Sequence, residues 1–200
     1  ATIVDPAEIE TAGELGKTEI EVLLYEFKAD LNAYLGRLGP DVAVHSLADV
    51  IAFNDAHKDT VLPYFGQERM LAAQEKGPLT EAAYLEALAT NHRLAREEGI
   101  DATLAKHELN VIVAPSGAPA CLIDWVRGDQ RSSGSSGPAA VAGYPNLTVP
   151  AGYVFGLPVG ISFVAGAYQE PTLLRLGYAF ERAMPVRKAP EFKATVELGG

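Results

Sequence analysis

The chain has 200 residues, 48% of them hydrophobic and 21% charged, which suits one globular domain able to bury a core. Its net charge of −10, with 16 basic residues scattered among 26 acidic ones, argues against nucleic acid as a partner. Gly, Pro or charged residues interrupt every apolar stretch before it reaches bilayer length, and the N-terminal stretch lacks the order of a signal peptide. The expectation is a soluble, cytoplasmic protein with no membrane partner.

In chain order, Thr2, Ile3 and Val4 have strand character and stop at the turn signal Asp5-Pro6. There is no initial Met, and a chain that enters a strand at once is expected to have been cut from something longer. Thr18 and Glu21 have the spacing of a capping box. Behind them Leu24, Phe27, Leu31 and Leu35 make one apolar helical face, which Gly36 and Gly39-Pro40 end. Ser46 and Asp49 open a shorter helix through Ile51 and Phe53 to about Lys58. Tyr64 and Phe65 lie in a Pro/Gly turn, where two aromatic rings are expected to pin the turn against the core. Gln67 to about Gln74 forms another short helix. Thr80 caps a long one, with Tyr84, Leu88, Asn91 and Ala95 on one stripe and Gly99 as its stop.

The period then changes. Asn110 to Ala114 reads as a buried strand bounded by Pro115. Residues 115 to 138 are rich in Pro, Gly and Ser, and a loop of that length is usually functional or mobile. Leu147 to Val149 and Gly160 to Val164 are two more strands. Pro171 opens a last helix with Leu173, Leu176, Gly177 and Phe180 on one side. The fold class is therefore α/β: a mixed β-sheet flanked by helices, with too few strands to complete the sheet within this chain. The missing strands are expected upstream of Ala1. Residues 1–184 form the domain and residues 185–200 a tail.

Chemistry is sparse. Cys121 is the only cysteine, so an internal disulfide and a cysteine-based metal site are excluded, and its apolar neighbours make it a buried, inert thiol. The four histidines show no ligand spacing, and no metal or other cofactor is expected. The run Ser132, Ser133, Gly134, Ser135, Ser136, Gly137 invites a catalytic reading. A nucleophile elbow needs Gly where Pro138 stands, a phosphate loop needs a Lys after Gly137, and no base is tied to any of these serines. On local grounds the run is a flexible polar loop. Asp124, Asp129 and Arg131 near it read as solvated charges.

Several stretches taken together carry a family resemblance. They are Leu23 to Leu35, Ser136 to Gly152 (through Ala142, Gly143, Tyr144 and Pro145), Leu157 to Phe163, and Glu170 to Phe180. Phe65 to Glu68 and Val113 to Ser116 fit between them. In that order they resemble the C-terminal part of the amidase signature family, over roughly residues 1 to 184, with wording that leans toward its peptide-amidase-like branch. The resemblance implies hydrolysis of carboxamide C–N bonds by a serine nucleophile, a second serine in a cis peptide and a lysine base, acting on a small amide or peptide amide. None of those catalytic residues matches a position here. Pro138 to Pro145 identify the Ser/Gly run as the family's later loop, which helps to line the substrate cleft. Ser133, Ser135 and Ser136 are carried over as cleft residues. The isolated chain is expected to be inactive. Two other readings stay open: a stand-alone, non-catalytic binding module derived from the same fold, and an amidotransferase A-subunit-like protein. Oligomeric state is not legible in the sequence.

Overall fold

The computed structural model describes residues 1–126, 128 and 134–190, and residues 127, 129–133 and 191–200 lie outside that description. The described chain forms two compact units, one of residues 14–91 and one of residues 1–13 with 92–200. Among the described residues no helix is long and apolar enough to cross a membrane.

The unit of residues 14–91 is helical: α1 (Gly16–Leu35), α2 (Leu47–Ala56), α3 (Lys58–Val61), α4 (Glu68–Gln74) and α5 (Ala82–His92, whose last residue belongs to the other unit). The start of α1 differs from expectation. It follows a 3₁₀ turn at Ala12–Glu14 and the buried Leu15, and Thr18 donates back to the Leu15 carbonyl at 3.2 Å instead of capping. Of its expected face Leu35 is buried and Leu24 and Leu31 are half-buried, but the core is centred elsewhere. Val22 and Tyr25 pack with Tyr84 and Ala87, while Phe27 is exposed. The reason is that two tyrosines can enter this core only because each hydroxyl finds a partner. Tyr25 donates to Glu81 at 2.6 Å and Tyr84 to Glu26 at 2.8 Å, with the ring centroids 5.6 Å apart. Lys76 closes the same corner, pairing with Glu21 at 2.6 Å and lying 5.2 Å from the Tyr25 ring centroid. Ser46 caps α2 as expected, accepting from the Asp49 amide at 3.1 Å. Tyr64 and Phe65 are both largely exposed and do not bury against a core, because Gln67 is the residue that turns inward there. Its amide donates to Asp55 at 2.7 Å and to the Ile51 carbonyl at 3.3 Å.

The other unit begins with an exposed coil. Residues 1–4 form no strand, and Ile3 stands in solvent. The helix expected to stop at Gly99 instead continues as a π-helical segment (Arg93–Ile100) and then α6 (Asp101–Lys106). Gly99 serves close approach here: a Cβ at this position would collide with the Leu94 carbonyl. That carbonyl accepts from Thr11 at 2.6 Å, and the Gly99 carbonyl accepts from Thr103 at 2.9 Å.

Three strands follow, β1 (Ile112–Pro115), β2 (Asn146–Val154) and β3 (Leu157–Val164), in the order β1-β3-β2. Both pairings are antiparallel, so the expected mixed sheet is not formed by these three strands. The cause is local: β2 and β3 are joined through Phe155 and Gly156, a two-residue turn that only an antiparallel pair can use. Leu147, Val149, Ile161 and Phe163 lie on one face and pack with Leu173 and Phe180 of α8 (Glu170–Ala183), the Phe163 and Phe180 rings meeting edge-on at 5.9 Å. Gly177 lets α8 approach closely, since a Cβ there would fall 2.5 Å from Leu147 Cδ2.

Candidate substrate-cleft loop and hydroxyl cluster

The opposite face of the same sheet carries a cluster of hydroxyls. Thr148 pairs directly with Ser162, and Ser162 with Ala114, so period-two alternation places Ser116, two residues past Ala114, on the same side. The three hydroxyls meet. Ser162 Oγ lies 2.7 Å from Ser116 Oγ and 2.8 Å from Thr148 Oγ1, and Ser116 Oγ donates to Thr148 Oγ1 at 3.4 Å. Gly160 makes the space: a Cβ there would sit 2.8 Å from both Ser116 Oγ and Thr148 Cγ2. Ser162 is buried, and these contacts satisfy its hydroxyl.

Ser135 of the Ser/Gly run meets this cluster. The Ser116 amide donates to the Gly160 carbonyl at 2.9 Å, and the Ser116 carbonyl accepts from the Ser135 amide at 3.4 Å. Ser135 is half-buried, and its Oγ is a buried atom without a hydrogen-bond partner. Ser136 is exposed, immediately before the short helix α7 (Gly137–Ala142). Ser133, together with Asp129 and Arg131, lies outside the described residues. Asp124 is engaged: its carboxylate accepts the Val126 amide at 2.9 Å. Cys121, expected to be buried, is exposed, because the segment around it does not fold back onto a core.

The far end of α7 is held from the π-helical segment. Gly143 ends the helix at φ 67°, and Arg96 Nε donates to the Ala142 carbonyl at 2.7 Å. The Arg96 guanidinium also lies 5.8 Å from the centroid of the Tyr144 ring, whose hydroxyl donates to Asp101 at 2.8 Å. Burial, and secondarily that bond to a carboxylate, raises the Tyr144 pKa, so the phenol stays protonated. The loop containing Ser135 and Ser136 is thus tethered to the sheet through Ser116 and to the helices through Ala142.

Among the described residues no lysine or histidine hydrogen-bonds to these hydroxyls, so the cluster has binding and positioning chemistry without an evident base. Sequence reasoning passed over Ser116, Thr148 and Ser162. The available signal was a hydroxyl inside the otherwise apolar run Ile161, Ser162, Phe163, Val164.

No family model matches the chain. An Arabidopsis thaliana protein described as a probable amidase is 38% identical over 175 residues, 86% of this chain and 30% of that protein. The structure of a peptide amidase in complex with the competitive inhibitor chymostatin superposes with a TM-score of 0.89 at 43% identity, covering 95% of this chain and 38% of the other. Native peptide amidase from Stenotrophomonas maltophilia gives a TM-score of 0.83 at 41% identity, covering 94% of this chain and 37% of that one. A glutamyl-tRNA(Gln) amidotransferase component from Lactiplantibacillus plantarum matches over 63 residues only, at 44% identity. The chain therefore spans well under half the length of these relatives. An α/β unit in which Ser135 is bonded to the end of a hydroxyl-bearing sheet face is what fold and site define. The chain belongs to the amidase signature family, in its peptide-amidase-like branch.

Proposed function

We propose that this chain is the C-terminal portion of an amidase that hydrolyses carboxamide C–N bonds, with the serine, cis-serine and lysine that do the chemistry supplied by a segment outside it. The observation that carries this reading is the match to peptide amidase across nearly the whole chain. The chemistry suits the division. An amide is a poor electrophile, so a serine must be deprotonated by a lysine kept neutral through desolvation, and fixed donors must hold the oxyanion. No group in the described hydroxyl cluster meets the first need. The 200-residue chain is expected to show no turnover by itself. Turnover that survives Ser135→Ala and Ser136→Ala, in material purified to homogeneity, would sink that expectation.

In this reading Ser133, Ser135 and Ser136 line the cleft for a small amide or peptide amide, in a cytoplasmic enzyme that needs neither nucleic acid nor membrane. Ser135 is supported by its buried, unpartnered hydroxyl, which a substrate carbonyl or amide could engage. The test is a chimaera in which residues 1–184 replace the matching part of the Stenotrophomonas peptide amidase. Ser135→Ala should raise KM for peptide amides roughly 3- to 10-fold, the value of one neutral hydrogen bond of about 0.5–1.5 kcal/mol, with a smaller change in kcat. An unchanged KM would remove Ser135 from the cleft. The amidotransferase reading rests on a match to less than a third of the chain, and the peptide-amidase match is preferred for its coverage.

A further inference from the structure

The three hydroxyls on the sheet face account for their own protons. A hydroxyl carries one proton and two acceptor lone pairs. Ser116 gives its proton to Thr148 at 3.4 Å, so in their 2.7 Å contact Ser162 is the donor and Ser116 the acceptor. Thr148 must then donate to Ser162 at 2.8 Å, which closes a ring. Each hydroxyl donates once and accepts once, and no proton is left over for a ligand. What the ring does is hold Ser116. Ser162 is its buried member and makes both short bonds, whereas the Ser116–Thr148 contact is at the long limit of a hydrogen bond. Ser116 is also fixed through its backbone. Its amide donates to the Gly160 carbonyl at 2.9 Å, and its carbonyl accepts the Ser135 amide at 3.4 Å. Gly134 approaches that carbonyl so closely that a Cβ on it would lie 3.2 Å from the oxygen. Ser135 Oγ, by contrast, is buried without a hydrogen-bond partner. Ser135 is thus the hydroxyl left to engage a ligand, and Ser116 locates it.

We propose that Ser162 is a positioning residue: through Ser116 it fixes the backbone that receives Ser135, and so sets where the Ser135 hydroxyl meets a bound amide. This rests on the amidase reading above. The dependence is physical at each link. At 3.4 Å the Ser135 bond tolerates little further lengthening, so a shift of roughly a few tenths of an ångström at Ser116 breaks it. Without the Ser162 hydroxyl the ring keeps only its 3.4 Å contact, and Ser116 Oγ is free to rotate away. The sheet does not depend on the ring in the same way. β2 and β3 are paired along their backbones, and their other face packs on α8. A loss at Ser162 therefore loosens Ser135 before it loosens the strands.

The experiment first follows amide hydrogen exchange by NMR in the full chain, as wild type, Ser162→Ala, Thr148→Val and Thr148→Ser. The Ser135 amide should exchange at least about fivefold faster in Ser162→Ala, which is local opening at constant global stability. Thr148→Val should give a smaller increase, and Thr148→Ser, which keeps the ring, none. Amides of the β2–β3 ladder should not change. A Ser135 amide unprotected in the wild type, one indifferent to Ser162→Ala, or ladder amides that accelerate equally would each overturn the proposal. In the chimaera with the Stenotrophomonas peptide amidase, Ser162→Ala should raise KM for peptide amides roughly threefold and leave kcat nearly unchanged. A merely structural loss would lower the active fraction, and with it the apparent kcat, and would leave KM alone. Combined with Ser135→Ala, it should raise KM no further than Ser135→Ala does alone, because it acts through that residue. Effects that multiply would overturn this line of action. Exchange at Ser135 that responds to Ser162→Ala, without any hydrolysis, keeps the positioning and sinks the amidase reading. Hydrolysis with an unchanged KM in Ser162→Ala does the reverse.

Discussion

Tyr25 and Tyr84 show how single side chains set the helical core. Each phenol is buried by packing on the other and each donates to a carboxylate, Tyr25 to Glu81 and Tyr84 to Glu26. For both, the hydrogen bond to the carboxylate is the leading cause of a raised pKa, which for Tyr25 reaches about 12. In the unfolded chain both titrate near the ordinary tyrosine value of about 10. The folded state therefore holds its protons longer, and the stabilisation is complete below about pH 10 and is lost as pH rises toward about 12. Tm should be flat up to about pH 10 and then fall, and Tyr25→Phe should flatten that fall while lowering Tm at neutral pH. A Tm that declines equally in wild type and Tyr25→Phe would show that this phenol does not carry the effect. At this scale the sequence was only partly legible. The capping role of Ser46 could be read from local spacing, because a cap involves three residues of one turn. The burial of Tyr25, the exposure of Cys121 and the meeting of Ser116, Thr148 and Ser162 depend on which distant segments arrive, and no window of sequence contains that.

The elements themselves were more legible than their boundaries. α8, the α2 cap and strand character at 112–114 and 160–164 follow from periodicity and punctuation. The β2–β3 hairpin was hidden because its turn residues are Phe155 and Gly156, with φ of 49° and 79°, where such turns prefer Asn-Gly. A phenylalanine held in the left-handed region is strained by roughly 1–2 kcal/mol relative to its ordinary conformations. Phe155 is exposed, so little packing opposes its replacement. Phe155→Asn should therefore stabilise the chain by about 1 kcal/mol, or about 2–4 °C in Tm. A loss of stability would mean that the ring has contacts that outweigh the strain. Gly99 makes the opposite case. In an ordinary helix Gly→Ala gains about 1 kcal/mol. In this π-helical segment a Cβ meets the Leu94 carbonyl, which Thr11 already holds. Gly99→Ala should cost about 1–3 kcal/mol in denaturant unfolding, the usual range for forced overpacking. A gain instead would indicate that the segment relaxes readily to α-helical geometry. Nothing in the residue types of 93–100 announces a π-helix, and the segment's Leu94 and Gly99 carbonyls accept from Thr11 and Thr103, which lie outside it.

For the molecule as a whole, the described sheet has strands β1 and β2 at its edges. Pro115 and Pro150 stand on those two edge strands, and proline blunts an edge against indiscriminate pairing. The absence of turnover expected of the isolated chain belongs to this scale, since it depends on which part of the fold is present and not on a defect in any residue. By itself the sequence determined the family, the α/β class, most helices and the lack of any nucleophile motif in the Ser/Gly run. These reside in ordered local motifs, which survive without knowledge of the partners they meet. Only the tertiary structure decided that the three strands are antiparallel, that one sheet face is apolar against α8 while the other pools three hydroxyls, and that Cys121 is exposed. Those outcomes follow from register and from packing between segments tens of residues apart, where a neighbour's arrival, not a residue's own preference, sets burial.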